Sequence, residues 1–140
     1  MMTEGSMTIY TIGYGKIAHP SELLELAESM NAIVADVRHS PASRNPRWRR
    51  GFLEKTLGQR YIHVPGLGNL NYKGGPVALA DVQAGADQLA ILIRAQPVIL
   101  MCVCVDWRTC HRTDAAKALA ERFGLTIENL APPSATGRLL

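Results

Sequence analysis

Five short apolar runs, rich in β-branched residues, alternate with longer segments along the chain. They are Thr8–Ile12, Ala32–Val37, Tyr61–Val64, Val98–Val105 and Leu125–Glu128. The run Val98–Val105 is apolar at all eight positions, which is typical of a central strand covered on both faces. The pattern therefore predicts five strands.

Between the strands, apolar residues recur at helical spacing. The first helix is predicted from Pro20 to Asn31, because its apolar side chains follow i, i+3, i+4 and i+7 spacing. Further helices are predicted over Trp48–Leu57 with Phe52 buried, over Ala80–Ala95 with Val82 buried, and from the Cys110–Arg112 turn to Gly124. A long glycine-rich loop is predicted over Pro65–Pro76.

This alternation predicts an α/β fold. We expect a three-layer Rossmann-like domain, with a mainly parallel sheet of about five strands and helices on both faces. One domain is expected over residues 8–130, with a disordered leader over residues 1–7 and a flexible tail over residues 131–140.

The composition is that of a globular protein, with 47% apolar and 19% charged residues. No apolar run has the length of a membrane span, and the first residues carry no secretory signal, so we expect a cytoplasmic protein without a membrane segment. The three cysteines lie within nine positions, which favours reduced thiols over a disulfide framework. A net charge of +3 permits an anionic ligand. The oligomeric state stays open.

Chemically capable residues come directly after the predicted strand ends. In a parallel α/β sheet the carboxyl ends of the strands meet at one edge, and ligands bind there. The residues concerned are Gly13, Tyr14, Asp36, Arg38, His63, Gly68 and the segment Cys102–Arg112. We expect them to lie close together, although they are scattered in the sequence.

The same positions carry a family resemblance. The motifs are Thr11-Ile-Gly-Tyr-Gly15, Asp36-Val-Arg38, Ser40-Pro41, Ser43-Arg44-Asn45-Pro46, Tyr61-Ile-His63, Leu67-Gly68, Cys102 and Cys110-His-Arg112. In this order they resemble the domain-of-unknown-function family 488 (DUF 488), from about Thr8 to Leu130. The resemblance implies an α/β fold and a site at these motifs, with no established reaction and no cofactor. Cys104 stands where family members often have glutamate, and Tyr14 where many have histidine.

Cys110, His111 and Arg112 place a thiol, an imidazole and a guanidinium at a predicted helix N-terminus. In one interpretation they act as nucleophile, base and anion clamp, since a helix N-terminus and nearby cations lower a thiol pKa. In the other, Cys110 packs inward while its neighbours cap and orient a loop. The second interpretation rests on helix geometry, because adjacent residues of one turn point about 100° apart.

Cys102 and Cys104 alternate along the predicted strand and are expected to point to the same face. With Cys110 and His111 they offer the ligand types of a metal site, three thiolates and one imidazole. We nevertheless expect no metal, because the spacing matches no common zinc pattern and a buried strand is a poor host for two ligands. Cys102 is expected to pack as a small hydrophobe. The match of Cys102–Arg108 to the pattern Cys-x5-Arg is interpreted as accidental, because the bulky residues between them favour extended chain.

Asp36 has two interpretations: it forms a structural ion pair with Arg112 or a loop arginine, or it acts as a general base. Arg38 is predicted to bind a phosphate or carboxylate. His63 is either a core histidine or a site residue. Gly13 and Gly68 are expected where the backbone approaches a ligand or needs a positive φ.

The segment Arg38–Arg50 contains five arginines and no acidic residue. It either binds a nucleic-acid backbone, with Trp48 stacked on a base, or forms a solvated basic loop. Arg44, inside the family-like motif, is expected to reach the site.

Together these observations predict an anion-binding or phosphate-binding pocket at the C-terminal edge of the sheet, for a nucleotide or nucleic-acid ligand. The expected ligand-binding residues are Gly13, Tyr14, Arg38, Arg44, His63, Gly68 and Arg112, and the candidate catalytic residues are Asp36, His111 and Cys110. No cofactor is expected, and the expected partner is a phosphate-containing small molecule or a nucleic acid. Two alternatives stay open: a non-catalytic nucleic-acid-binding module, and a thiol or metal protein centred on the three cysteines.

Overall fold

A five-stranded, all-parallel sheet organises the computed structural model, which describes residues 7–104 and 106–133. The strands are β1 (Thr8–Gly13), β2 (Ile33–Asp36), β3 (Tyr61–His63), β4 (Val98–Cys102) and β5 (Thr126–Asn129). The α-helices are α1 (Pro20–Met30), α2 (Arg50–Leu57), α3 (Val82–Ala95) and α4 (His111–Phe123). Short 3-10 turns lie at Pro46–Trp48, Gly58–Arg60, Pro65–Leu67 and Trp107–Thr109.

The strand order is β3-β2-β4-β1-β5, so β4 lies at the centre, as its apolar sequence predicted. Side chains of β4 alternate between two cores. Val98, Leu100 and Cys102 pack with residues of α3 and α4. Ile99 and Met101 pack with residues of α1 and α2 on the opposite face. The three-layer α/β arrangement is therefore confirmed.

Several predicted boundaries are wrong by a few residues. The helix predicted from Trp48 begins at Arg50, because Trp48 belongs to a 3-10 turn capped by the Asn45 side chain. The helix predicted from Ala80 begins at Val82, where the Asp81 carboxylate accepts a hydrogen bond from a first-turn amide. The last strand begins and ends one residue later than predicted. Phe52 and Val82, both expected to be buried, are exposed.

The central strand also ends earlier than predicted, at Cys102 rather than Val105. Its neighbours β1 and β2 end at Gly13 and Asp36, which pair with Cys102 and Met101. On the β1 side two more backbone hydrogen bonds follow, from the Tyr14 N–H to the Cys102 carbonyl and from the Gly15 N–H to the Val103 carbonyl, but within the described residues no strand residue pairs with Cys104. Cys104 therefore lies in a loop and not on the strand face that the sequence assigned to it.

Some predictions fall outside the described residues. Residues 1–6, Val105 and residues 134–140 are not described, so nearly all of the predicted leader and most of the predicted tail lie beyond the structure. Among the helices of residues 7–104 and 106–133, none combines the length and apolar character that a membrane crossing requires.

Candidate functional site

The strand register brings the predicted site residues to one edge of the sheet. Gly13 pairs with Cys102, and Asp36 pairs with both Met101 and His63. The loops after β1, β2 and β4 therefore emerge side by side, and the N-terminus of α4 lies next to them. The expected convergence of these segments at the carboxyl edge is confirmed.

A pocket of about 330 Å³ opens at this edge. Its lining residues come from the loops that follow β1, β2, β3 and β4, and from the start of α4. They are Tyr14, Arg38, His39, Ser40, Ala42, Ser43, Asn69, Tyr72, Cys102, Val103, Cys104 and His111. The wall thus contains a guanidinium, two imidazoles and several hydroxyl and amide groups, and none of these lining residues carries a carboxylate.

A buried ion pair fixes the guanidinium in the wall. The Asp36 carboxylate accepts hydrogen bonds from Arg38 Nε at 2.9 Å and from Arg38 Nη2 at 2.7 Å. It also accepts from the backbone N–H of Arg38 at 3.1 Å and from the Tyr61 hydroxyl at 2.6 Å. Both Asp36 oxygens are therefore occupied, which favours the structural interpretation of Asp36. Its partner is Arg38, whereas the structural interpretation named Arg112 or a loop arginine.

Tyr14 links the ion pair to the arginine-rich loop. Arg38 Nη1 donates to the Tyr14 hydroxyl at 3.0 Å, and the Tyr14 ring stacks on Trp48 with ring centroids 4.3 Å apart. Burial raises the pKa of Tyr14, although the Arg38 charge opposes the rise. Trp48 is only 3% exposed. Its indole therefore belongs to the core and is not available to stack on a nucleic-acid base.

At the floor of the pocket, an imidazole meets two thiols. His111 Nε2 lies 2.7 Å from the Val37 carbonyl oxygen, which can only accept, so this nitrogen carries the hydrogen. The other ring nitrogen, Nδ1, faces the Cys102 Sγ at 3.7 Å. Ligand atoms of Cys102, Cys110 and His111 all lie within 4.8 Å of one another.

The convergence of Cys110 and His111 has a backbone cause. Cys110 is the N-cap of α4 and has extended dihedral angles, with φ −106° and ψ 142°, whereas His111 is the first helical residue. Cys110 therefore does not follow the 100° helical rotation that the sequence analysis assumed for the two residues. Its Sγ also accepts a hydrogen bond from the Arg112 backbone N–H at 3.5 Å.

Contacts among the thiols separate their pKa values. The pKa of Cys104 is well below its usual range because the thiols of Cys102 and Cys110 hydrogen-bond to it, and the charges of His111 and Arg112 act in the same direction. The hydrogen bond with Cys104 raises the pKa of Cys102 to about 11. The pKa of Cys110 is raised by its hydrogen bonds to the other two thiols and by burial. The cluster thus favours a thiolate at Cys104, not at Cys110.

His111 is subject to opposing influences. Burial lowers its pKa, but hydrogen bonds to the Cys110 thiol and the Val37 carbonyl outweigh this effect, so the pKa is raised overall.

Arg112 lies beneath the pocket and does not line it. Its side chain is 1% exposed, donates to the Cys104 carbonyl and contacts the Thr11 hydroxyl with Nε at 3.3 Å. Gly13 makes this arrangement possible, because a Cβ there would overlap the Cys104 carbonyl and lie 2.6 Å from Arg112 Nη1. The close approach expected at Gly13 is therefore made by protein groups.

Three further predicted residues are not among the lining residues. Arg44 is exposed on the arginine-rich loop. His63 contacts the Arg38 carbonyl with Nε2 at 2.9 Å, an interaction typical of a satisfied core histidine. Gly68 has no room for a Cβ because it packs against the His39 backbone.

Other contributors were missed by the sequence analysis. Tyr61 completes the hydrogen bonding of Asp36, and buried tyrosine hydroxyls usually have such a partner, which is a signal that the strand Tyr61–His63 already contained. His39, Asn69 and Tyr72 line the pocket from loops whose paths the residue pattern does not define.

Fold and site together define a parallel α/β domain whose carboxyl edge carries an arginine- and imidazole-walled pocket above a thiol cluster. The model of the family described as Domain of unknown function DUF488 matches residues 21–76. This match confirms the resemblance for the motifs within that range, which include the Asp36–Arg38 pair. The Thr11–Gly15 motif and the Cys102–Arg112 segment lie outside it. No curated protein matches the chain.

Proposed function

We propose that the protein binds a small phosphate-containing ligand, of the size of a nucleotide or smaller, in the pocket at the carboxyl edge. The observation that supports this most directly is the chemistry of the wall: Arg38, His39 and His111 line it, and no lining residue carries a carboxylate. Asp36 occupies the Nε and Nη2 edge of Arg38, so the guanidinium would contact a phosphate through its remaining N–H groups on Nη1 and Nη2, and the His39 imidazole adds a further donor.

The ion pair prepares Arg38 for this role. Because Asp36 binds Nε and Nη2, the guanidinium has a fixed orientation and little side-chain entropy to lose on binding. Arg38 Nη1 donates to the hydroxyl of Tyr14 at 3.0 Å, and Tyr14 also lines the pocket. Hydroxyl groups of Ser40 and Ser43 in the same wall supply neutral donors for further phosphate oxygens.

Of the three candidate catalytic residues, His111 alone lines the pocket. In the metal-free protein we assign it the proton-transfer role in any reaction of the bound ligand, through Nδ1, because Nε2 is bonded to the Val37 carbonyl. Cys110 is 3% exposed, and the Asp36 carboxylate already accepts four hydrogen bonds. Both residues therefore support the pocket from behind.

The test is thermal melting of the reduced protein with phosphate, mononucleotides, short DNA and short RNA, at low and high salt. A ligand at 100 times its Kd stabilises the folded state by about 2.7 kcal/mol. We expect a mononucleotide or phosphate to raise Tm at both salt concentrations, since a pocket contact is screened less than an exposed one. Isothermal titration then gives the stoichiometry.

The variant for this test removes the wall charge without stranding a buried carboxylate. Asp36→Asn combined with Arg38→Gln replaces the ion pair by two amides and avoids the cost of an unpaired buried charge. We expect it to abolish phosphate binding. The control, Arg44→Gln with Arg47→Gln, removes two charges from the exposed loop and should bind as the wild type does.

Two results would overturn the proposal. One is the absence of any Tm shift or heat with every small phosphate compound. The other is a shift with DNA or RNA only, lost at high salt and in the Arg44→Gln/Arg47→Gln control, which would identify a nucleic-acid-binding module.

A further inference from the structure

The cluster of Cys102, Cys110 and His111 has nearly the dimensions of a metal site. Zinc lies about 2.3 Å from sulfur and about 2.0–2.1 Å from nitrogen, so tetrahedral ligands are roughly 3.5–3.8 Å apart. The Cys102 Sγ and His111 Nδ1 are already 3.7 Å apart, and all three ligand atoms lie within 4.8 Å of one another. We propose that these three residues bind a zinc-like divalent ion.

The orientation of His111 supports this assignment. Its Nε2–H donates to the Val37 carbonyl at 2.7 Å, which leaves the Nδ1 lone pair directed at the sulfur atoms. Metal-binding histidines commonly donate their second ring nitrogen to a carbonyl or carboxylate in this way, because the contact fixes the tautomer and the ring plane.

Each sulfur is held by a different element. Cys102 ends the central strand, and Cys110 caps α4, where its Sγ accepts the Arg112 backbone N–H. Both side chains are 3% exposed, and His111 is 9% exposed. The ligands therefore stay close together without the metal, so the chain loses little conformational freedom on binding.

The ligand types select the metal. Two sulfurs and one imidazole suit zinc, whereas magnesium and calcium require oxygen ligands. Two thiolates would balance the charge of the divalent ion. Since Cys102 and His111 line the pocket, the fourth coordination position would lie on the pocket side, where a water, a ligand or the neighbouring Cys104 thiol would complete the tetrahedron.

Cobalt titration of the reduced, metal-free protein tests the site directly. Tetrahedral Co²⁺ with thiolate ligands absorbs strongly in the visible range, and Zn²⁺ displaces it. We expect one Co²⁺ per chain, with the visible bands lost after one equivalent of Zn²⁺. Absence of these bands, or binding with no defined stoichiometry, would overturn the proposal.

Single variants test the ligand set. Cys102→Ala, Cys110→Ser and His111→Gln should each weaken Co²⁺ binding more than about 100-fold, since even the outer partners of a metal ligand contribute about 10–100-fold. Serine is itself a favourable N-cap, so Cys110→Ser should keep α4 intact and remain folded. Wild-type affinity in this folded variant would refute the assignment.

Two controls complete the design. His63→Gln makes the same change at a histidine that also contacts a backbone carbonyl, and should bind Co²⁺ normally. Cys104→Ser removes the neighbouring thiol. If this variant loses as much Co²⁺ affinity as Cys110→Ser does, Cys104 is a ligand and the proposed set of three is wrong. The metal proposal does not depend on phosphate binding: Co²⁺ spectra report the cluster, and ligand titration of the metal-free protein reports the wall.

Discussion

A single methyl group added at Gly13 should displace the loop that follows β4 and destabilise the protein. Gly13 ends β1, and the Cβ of an alanine there would overlap the carbonyl of Cys104 and crowd Arg112 Nη1 at 2.6 Å. Both neighbours are constrained, because the carbonyl belongs to the backbone and Arg112 is 1% exposed. The loop after β4 must therefore move when Gly13 becomes alanine.

The expected cost has two contributions. Overpacking a dense interior costs about 1–3 kcal/mol. Displacing the Cys104 carbonyl also breaks its hydrogen bond to the Arg112 guanidinium, and hydrogen bonds to charged groups contribute about 1.5–3 kcal/mol. We therefore expect Gly13→Ala to lower the free energy of unfolding by about 2.5–6 kcal/mol, a large part of the roughly 5–15 kcal/mol that stabilises a typical domain.

Gly51→Ala is the matched control, because it adds the same methyl group at a helical position with no atom within 4 Å of the new Cβ. Glycine in a helix is less stable than alanine by about 0.5–1 kcal/mol, so this variant should be slightly stabilised. Urea unfolding followed by circular dichroism measures both changes. A loss of less than about 1 kcal/mol in the free energy of unfolding of Gly13→Ala would be smaller than the cost of overpacking, and would refute the packing of the loop on Gly13.

Three further variants test the framework of the site and of the fold. Tyr61→Phe removes a donor from the buried Asp36 carboxylate and should cost about 1.5–3 kcal/mol in urea unfolding at neutral pH. Burial and the Asp36 charge raise the pKa of Tyr61 in the folded state. The wild type should therefore lose stability above about pH 10, by up to about 1.4 kcal/mol per pH unit for this group. Tyr61→Phe should lose stability less steeply, and equal slopes in the two proteins would contradict this reasoning. Trp48→Ala should cost about 3–5 kcal/mol, because the ring is buried against Tyr14, and a variant that lost nucleic-acid binding at unchanged Tm would argue for an exposed role instead. Asn31 has a left-handed backbone with φ 54°, so Asn31→Ala should lower Tm by the equivalent of about 1–2 kcal/mol while Asn31→Gly stays near the wild type; equal losses in both would exclude a backbone cause.

The order of elements and the location of the site followed from the sequence because each depends on a short-range signal. Apolar runs and helical spacing define a βα alternation, and that alternation implies a parallel sheet with its loops gathered at one edge. Asn31 and Gly124 ended their helices as predicted, since both adopt the left-handed conformation that closes a helix. These features need no knowledge of which side chains meet.

Partners of individual residues were harder to predict, because they depend on where the backbone turns. The sequence placed Cys104 on a strand face, but the strand ends where its neighbours end, and this length is a property of the sheet. For Asp36 one of the two interpretations was an ion pair with Arg112 or a loop arginine, while its partner is Arg38, two residues away, whose guanidinium and backbone N–H both bond the carboxylate.

The partners within the thiol cluster were the hardest of all to predict from the sequence. On an ideal helix, the side chains of Cys110 and His111 would point in directions about 100° apart and could not both reach the Cys102 sulfur. One extended residue at the helix boundary removes that rotation and brings both side chains toward Cys102. Helix boundaries are the least certain part of a sequence analysis, and here the chemistry of the site depends on one. A strand end followed within about ten residues by a cysteine N-cap and a first-turn histidine is therefore a pattern that warrants testing for metal binding, even where the spacing matches no zinc motif.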